Sequence, residues 1–229
     1  MTMLGYPTLG DIVVANPAAA RVLETLGLDY CCHGDHTLDE ACAAAGLDVE
    51  QVAEQIADLR QGGDASWAEL ELPELAKHIE GSHHAYLHAE LPLLDALAAK
   101  VAGVHGERHP ELREVARLVS EIRTELDPHL MKEERILFPA IEAMFAGQTE
   151  FPFGTVANPI RMMEIEHDQC GELLDQLRAT SKDYAVPDDG CASYRSLYER
   201  LEALEYDLHI HIHKENHVLF PQAIAYANA

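Results

Sequence analysis

Two stretches of this chain follow one pattern. His129-Leu-Met-Lys-Glu133 leads to Leu137-Phe-Pro139, and His211-Ile-His-Lys-Glu215 leads to Leu219-Phe-Pro221. At about 100° per residue, a His and a Glu four positions apart lie one turn apart on the same face of a helix. The duplication extends upstream, because His84 stands 45 residues before His129 and His167 stands 44 before His211. Each of these histidines sits in a stretch with helical apolar spacing. The chain is thereby limited to folds in which four helices carry four imidazoles and two carboxylates toward one place.

The rest of the sequence agrees with a helical reading. Strand-period alternation and low-complexity segments are absent, so the chain is expected to be all-α. Its 229 residues, 48% of them hydrophobic, suit one sizeable core plus a smaller module. A small helical domain is expected over residues 1–62. Asn16-Pro17 opens a helix over 17–26, Thr37 and Glu40 form a capping box for 38–45, and Asp48 starts 49–60. Gln61-Gly-Gly-Asp-Ala-Ser66 is the linker, and a four-helix bundle occupies 68–229.

Within the bundle, the first helix is expected over 73–104, with Pro92 kinking it or ending its first part. The second starts near Pro110 and carries Leu112, Val115, Leu118, Val119, Ile122 and Leu126 inward, with Pro128 bending it beside the site. Asn158 caps the third, with Pro159 at its first position, and the third runs to about Ser181. The fourth follows Pro187-Asp-Asp-Gly190.

Charge excludes some functions. With 16 basic against 40 acidic residues the formal charge is −24, and both nucleic acid and an anionic membrane need a cationic footprint. No run of about 18 apolar residues is present, nor a charged n-region followed by an apolar h-region. Five cysteines, an odd number without framework spacing, fit a reducing compartment. A cytoplasmic protein is expected.

Six donors are too many for one tetrahedral zinc but suit two adjacent metals, with carboxylates available to bridge. Imidazole and carboxylate without thiolate favour iron and leave manganese and zinc open. A single His-x-x-x-Glu in an acidic chain reads as a solvated helix face; two copies with matching tails and matching upstream histidines read as a site. His78, His83, His209, His213 and His217 fall off the ligand face or lack a repeat partner, and read as structural.

Some nearby residues have weaker claims. His88, one turn after His84, is expected to support the ligands or substitute for one. Glu125 lies one turn before His129, and Glu166 directly precedes His167. Both are candidate proton-handling acids facing the interior, against the plainer reading of surface acids. Cys31 and Cys32, between two short helices, are candidate reactive thiols, although residue type alone ranks them as packing residues.

Asp29-Tyr-Cys-Cys32, His129-x-x-x-Glu133-Glu-x-Ile-Leu-Phe-Pro139, Glu166-His-Asp168 and His211-x-x-x-Glu215-Asn-x-Val-Leu-Phe-Pro221 follow in that order. This series resembles the RIC (repair of iron centres) family of hemerythrin-like di-iron proteins over nearly the whole chain. The resemblance implies an up-down four-helix bundle behind a small N-terminal helical domain of the ScdA_N type. It also implies two non-haem iron ions, oxo- and carboxylate-bridged, with His84, His129, His167 and His211 as terminal ligands and Glu133 and Glu215 as bridges. Glu125 and Glu166 fit a route between the centre and solvent. One departure is His33, where the family more usually has glycine.

The function this implies is repair of iron-sulfur clusters damaged by nitrosative or oxidative stress, by donation of iron to damaged cluster proteins. The alternative is a di-iron oxidoreductase or sensor that binds or reduces nitric oxide or dioxygen. A homodimer that binds neither nucleic acid nor membrane is expected.

Overall fold

The computed structural model describes residues 6–59 and 66–228, and the expected linker at 61–65 lies outside them. Among the described residues the chain is all-α, with only two isolated β-bridges and no strand. No described helix is long and apolar enough to cross a membrane. Two compact units emerge, one running up to Ala76 and including His209 onward, the other spanning Lys77–Leu208.

The first unit begins with four short helices, α1 (Leu9–Ala15), α2 (Ala19–Thr25), α3 (Leu38–Ala45) and α4 (Val49–Ala57). Two of the capping signals act as read, while α2 begins at Ala19, two residues after the expected Pro17, without a side-chain cap. Asp48 accepts the Gln51 amide at 3.1 Å, and Thr37 and Glu40 close a capping box. The helix α1 was not expected; Thr8 caps it by accepting the Asp11 amide at 3.1 Å. Leu9, Val13, Leu23, Leu38 and Val52 bury their side chains together, and Ile212 joins them. By that contact residues from His209 onward group with the N-terminal helices in one compact unit.

Further along, α5 (Leu72–Ile79), which enters the second unit at Lys77, leads through a turn of π-helix (Glu80–His84) into α6 (Ala85–His105). Then come α7 (Glu111–Lys132), a second π-turn (Glu133–Leu137), α8 (Phe138–Phe145), α9 (Ala157–Ser181) and α10 (Ala192–Lys214), the last of these belonging to the second unit up to Leu208. A third π-turn (Glu215–Leu219) and α11 (Phe220–Ala227) belong to the first unit. Leu91, Leu94, Leu118, Ile122, Leu174, Leu177, Leu201 and Leu204 make a core from α6, α7, α9 and α10. This is the expected four-helix arrangement. A buried ion pair lies beside it, with Arg178 donating to both Glu205 oxygens at 3.0 and 2.6 Å.

Two local expectations are corrected. The helix α6 continues through Pro92, which is exposed, so of the two alternatives the ending of its first part does not occur. The helix α9 starts one residue before Asn158, whose side chain turns back to donate to the Phe153 carbonyl at 2.8 Å rather than capping.

Candidate metal centre

Each π-turn begins or ends on an expected ligand: His84 ends the first, Glu133 opens the second and Glu215 opens the third. The Leu-Phe-Pro tail explains the latter two. Pro139 and Pro221 lack an N–H and press on the preceding turn, and widening that turn by one residue relieves the conflict. In the first, Gly81 and Ser82 loosen the ladder, with the Ser82 hydroxyl donating to the His78 carbonyl at 2.6 Å.

In the second unit four side chains meet in the dry interior. Glu133 Oε2 lies 3.4 Å from Nε2 of both His84 and His129, and Nε2 of His167 lies 3.2 Å from Nε2 of His129. All four residues are buried, Glu133 completely. In the first unit His211 and Glu215 are likewise buried, with Nε2 and Oε1 3.2 Å apart.

The outer faces of the imidazoles decide what the inner faces offer. His129 Nδ1 lies 2.8 Å from Glu166 Oε2, and His84 Nδ1 lies 3.0 Å from Glu134 Oε1. A carboxylate only accepts, so each Nδ1 carries a proton and each Nε2 is the ring nitrogen left facing Glu133. The hydrogen bond from His129, reinforced by Lys132 against the opposing effect of burial, holds Glu166 down to a pKa of about 2. Burial alone would raise Glu134, but hydrogen bonds from His88 and His84 outweigh it and lower its pKa.

These residues fit a cation. Among the described residues neither oxygen of Glu133 accepts a hydrogen bond, although the group is fully buried; left so, a carboxylate loses its hydration without compensation. Two N or O donors about 2.1 Å from one ion stand about 3.0–3.4 Å apart, which matches the 3.2 and 3.4 Å separations seen here. Imidazoles whose far nitrogens donate to carboxylates are the usual support for metal ligands.

Sequence reasoning missed Glu134, although its place directly after Glu133 was the available signal. It also misjudged Glu125, which is exposed on α7 while Ile122 and Leu126 take the inward stripe. The plainer reading of a surface acid holds there. Glu166 does face inward, but it grips His129. His88 is half-exposed and supports the ligands only through Glu134, at 2.7 Å. Cys31 is buried and Cys32 half-buried, both in the first unit. His213 and His217, read as structural, hold that cysteine loop: His213 Nδ1 lies 3.3 Å from the Tyr30 carbonyl and His217 Nε2 lies 3.1 Å from that of Cys31.

Comparison with known proteins gives this geometry a family. Residues 75–223 match the hemerythrin HHE cation binding domain, and residues 6–60 match a domain of unknown function, DUF542, also called ScdA_N. The chain is 36% identical over 218 residues to the iron-sulfur cluster repair protein YtfE of Enterobacter sp. (strain 638), covering 95% of this chain and 96% of that one. The chain belongs to the RIC family. Proteins with the same description from Escherichia coli O8 (strain IAI1) and Citrobacter koseri are each 34% identical to this RIC chain with the same coverage. The cation-binding match spans all six expected ligands of this RIC protein, from His84 to Glu215, so a metal site is part of the family assignment.

Proposed function

We propose that this chain holds two iron ions with His84, His129, His167, His211, Glu133 and Glu215, and that it repairs damaged iron-sulfur clusters by giving up iron. The observation that carries the reading is Glu133, a buried carboxylate without a hydrogen bond among the described residues, facing two imidazoles whose proton positions are fixed by Glu134 and Glu166. The repeat supplies the argument for a second ion. His211 and Glu215 copy His129 and Glu133 in spacing, tail and π-turn, and each pair alone is too small a ligand set to hold a metal firmly.

Bound there, iron would supply redox and Lewis-acid chemistry; the protein's part is to hold it reversibly. Glu166 and Glu134 reach toward the surface while gripping His129 and His84, so a change in either carboxylate acts on a ligand directly. The proteins served are iron-sulfur cluster proteins, a reading supported by the name of the relatives, iron-sulfur cluster repair protein; the cytoplasm as their compartment is part of the same proposal. The homodimer belongs to the same proposal and rests on the resemblance alone.

The test is transfer. Iron-loaded protein is incubated with an apo cluster enzyme, cysteine and a sulfide-generating enzyme, beside an equal amount of free iron and with a weak chelator in both. Faster recovery with the protein is expected, and recovery no better than with free iron overturns donation. Steady consumption of nitric oxide or dioxygen with a reductant, without loss of iron, moves the assignment to the oxidoreductase reading.

A further inference from the structure

The loop between α2 and α3 sets Asp29, Cys31, Cys32 and His33 side by side. Cys31 Sγ and Cys32 Sγ are 3.7 Å apart, and Asp29 Oδ1 lies 3.2 Å from Cys31 Sγ. One donor atom from each of Asp29, Cys31 and Cys32 falls within 4.8 Å of the others. Two sulfurs bound to one tetrahedral ion at about 2.3 Å are about 3.8 Å apart, and such a sulfur and a carboxylate oxygen about 3.5 Å. The cysteines therefore already stand at the separation of two ligands on one ion, far from the roughly 2.04 Å of a disulfide.

The loop is braced on both sides. The amides of Cys31 and Cys32 donate to Asp29 Oδ1 at 3.0 and 2.9 Å, and His33 Nδ1 holds Asp29 Oδ2 at 2.6 Å. From the other side, Asn216 Nδ2 and His217 Nε2 each reach the Cys31 carbonyl at 3.1 Å, and His213 reaches that of Tyr30. His217 lies where Gly10 and Gly34 have no side chain; a Cβ on Gly34 would overlap its ring and the Tyr30 carbonyl. These restraints act on backbone and carboxylate and set the direction of the sulfurs.

Burial alone would raise Asp29, but hydrogen bonds from His33 and the two cysteines lower its pKa and keep it charged. Beside it, the hydrogen bond with Cys32, burial and the neighbouring negative charge push the Cys31 thiol well above its usual range. A bound cation offsets all of these, exchanging the thiol protons for metal–sulfur bonds.

We propose that Asp29, Cys31 and Cys32 form a second metal site, separate from the His/Glu centre, for a thiophilic divalent cation of the zinc(II) type. His33 orients the carboxylate, and the fourth position stays open to solvent or an incoming ligand. The site stands whether or not the six-ligand centre has been assigned correctly.

Full-length, iron-loaded protein, reduced and anaerobic, is titrated with cobalt(II) as a spectroscopic probe. One equivalent is expected to bind with a sulfur-to-cobalt charge-transfer band, which zinc(II) then removes. Cys31→Ser and Cys32→Ser should each abolish the band while iron per chain stays constant. Asp29→Asn keeps the oxygen that both amides need, so the loop persists, and affinity should fall about tenfold or more. Absence of the band, its survival in either serine variant, or unchanged affinity in Asp29→Asn overturns the proposal. Iron content, measured in every sample, reports separately on the His/Glu centre.

Discussion

Glu166→Leu separates two roles for one acid. As a residue lining a path to the centre, Glu166 should when removed slow the escape of metal; as the partner of His129, it should when removed hasten it. The structure supports the second role, because its Oε2 takes the His129 Nδ1 proton at 2.8 Å and its other oxygen meets Lys132. Loss of such a carboxylate behind a ligand weakens metal binding by about 10–100-fold, or about 1.4–2.8 kcal/mol. Leucine has a helix propensity close to that of glutamate, so α9 persists. The assay is competition with a chelator at equilibrium, alongside stopped-flow release. Glu125→Leu is the comparison, because Glu125 is exposed on α7 and a change there stays within about 0.5 kcal/mol. Equal affinities in the two variants, or slower release from Glu166→Leu, would refute the argument.

Three further outcomes are expected. Glu133→Ala should reduce iron from the proposed two per chain to one or fewer by elemental analysis while the far-ultraviolet circular dichroism stays helical; full occupancy shows the wrong carboxylate was chosen. Arg178→Leu leaves Glu205, 2% exposed, as a buried charge without its bidentate partner. That loss is worth about 3 kcal/mol, a fall of about 6–12 °C in Tm, and an unchanged melt would show that water already solvates the pair. Residues 66–229 expressed alone should melt lower than the full chain, because Ile212 loses the apolar neighbours it buries against in the N-terminal module; a matching Tm would mean the module is dispensable.

The sequence alone determined the helices and which repeated His and Glu share a face, because a helix converts spacing into a shared face through purely local geometry. His129 and Glu133 stand one turn apart whatever surrounds them, and the capping signals of Thr37 and Asp48 act within a few residues. The duplication marked the repeated His and Glu out from the other histidines and acids of the chain. What the sequence left open was set by contacts between residues distant along the chain. Glu125 and Glu166 looked alike as acids near ligands, and only packing turned one to solvent and the other onto His129 Nδ1, 37 positions away. Glu134 became a support for His84 through a bond spanning 50 positions. Ile212, His213 and His217 meet an apolar cluster, a carbonyl pair and a glycine-lined seat built by residues 9–52, and no local pattern around them in the sequence encodes those partners.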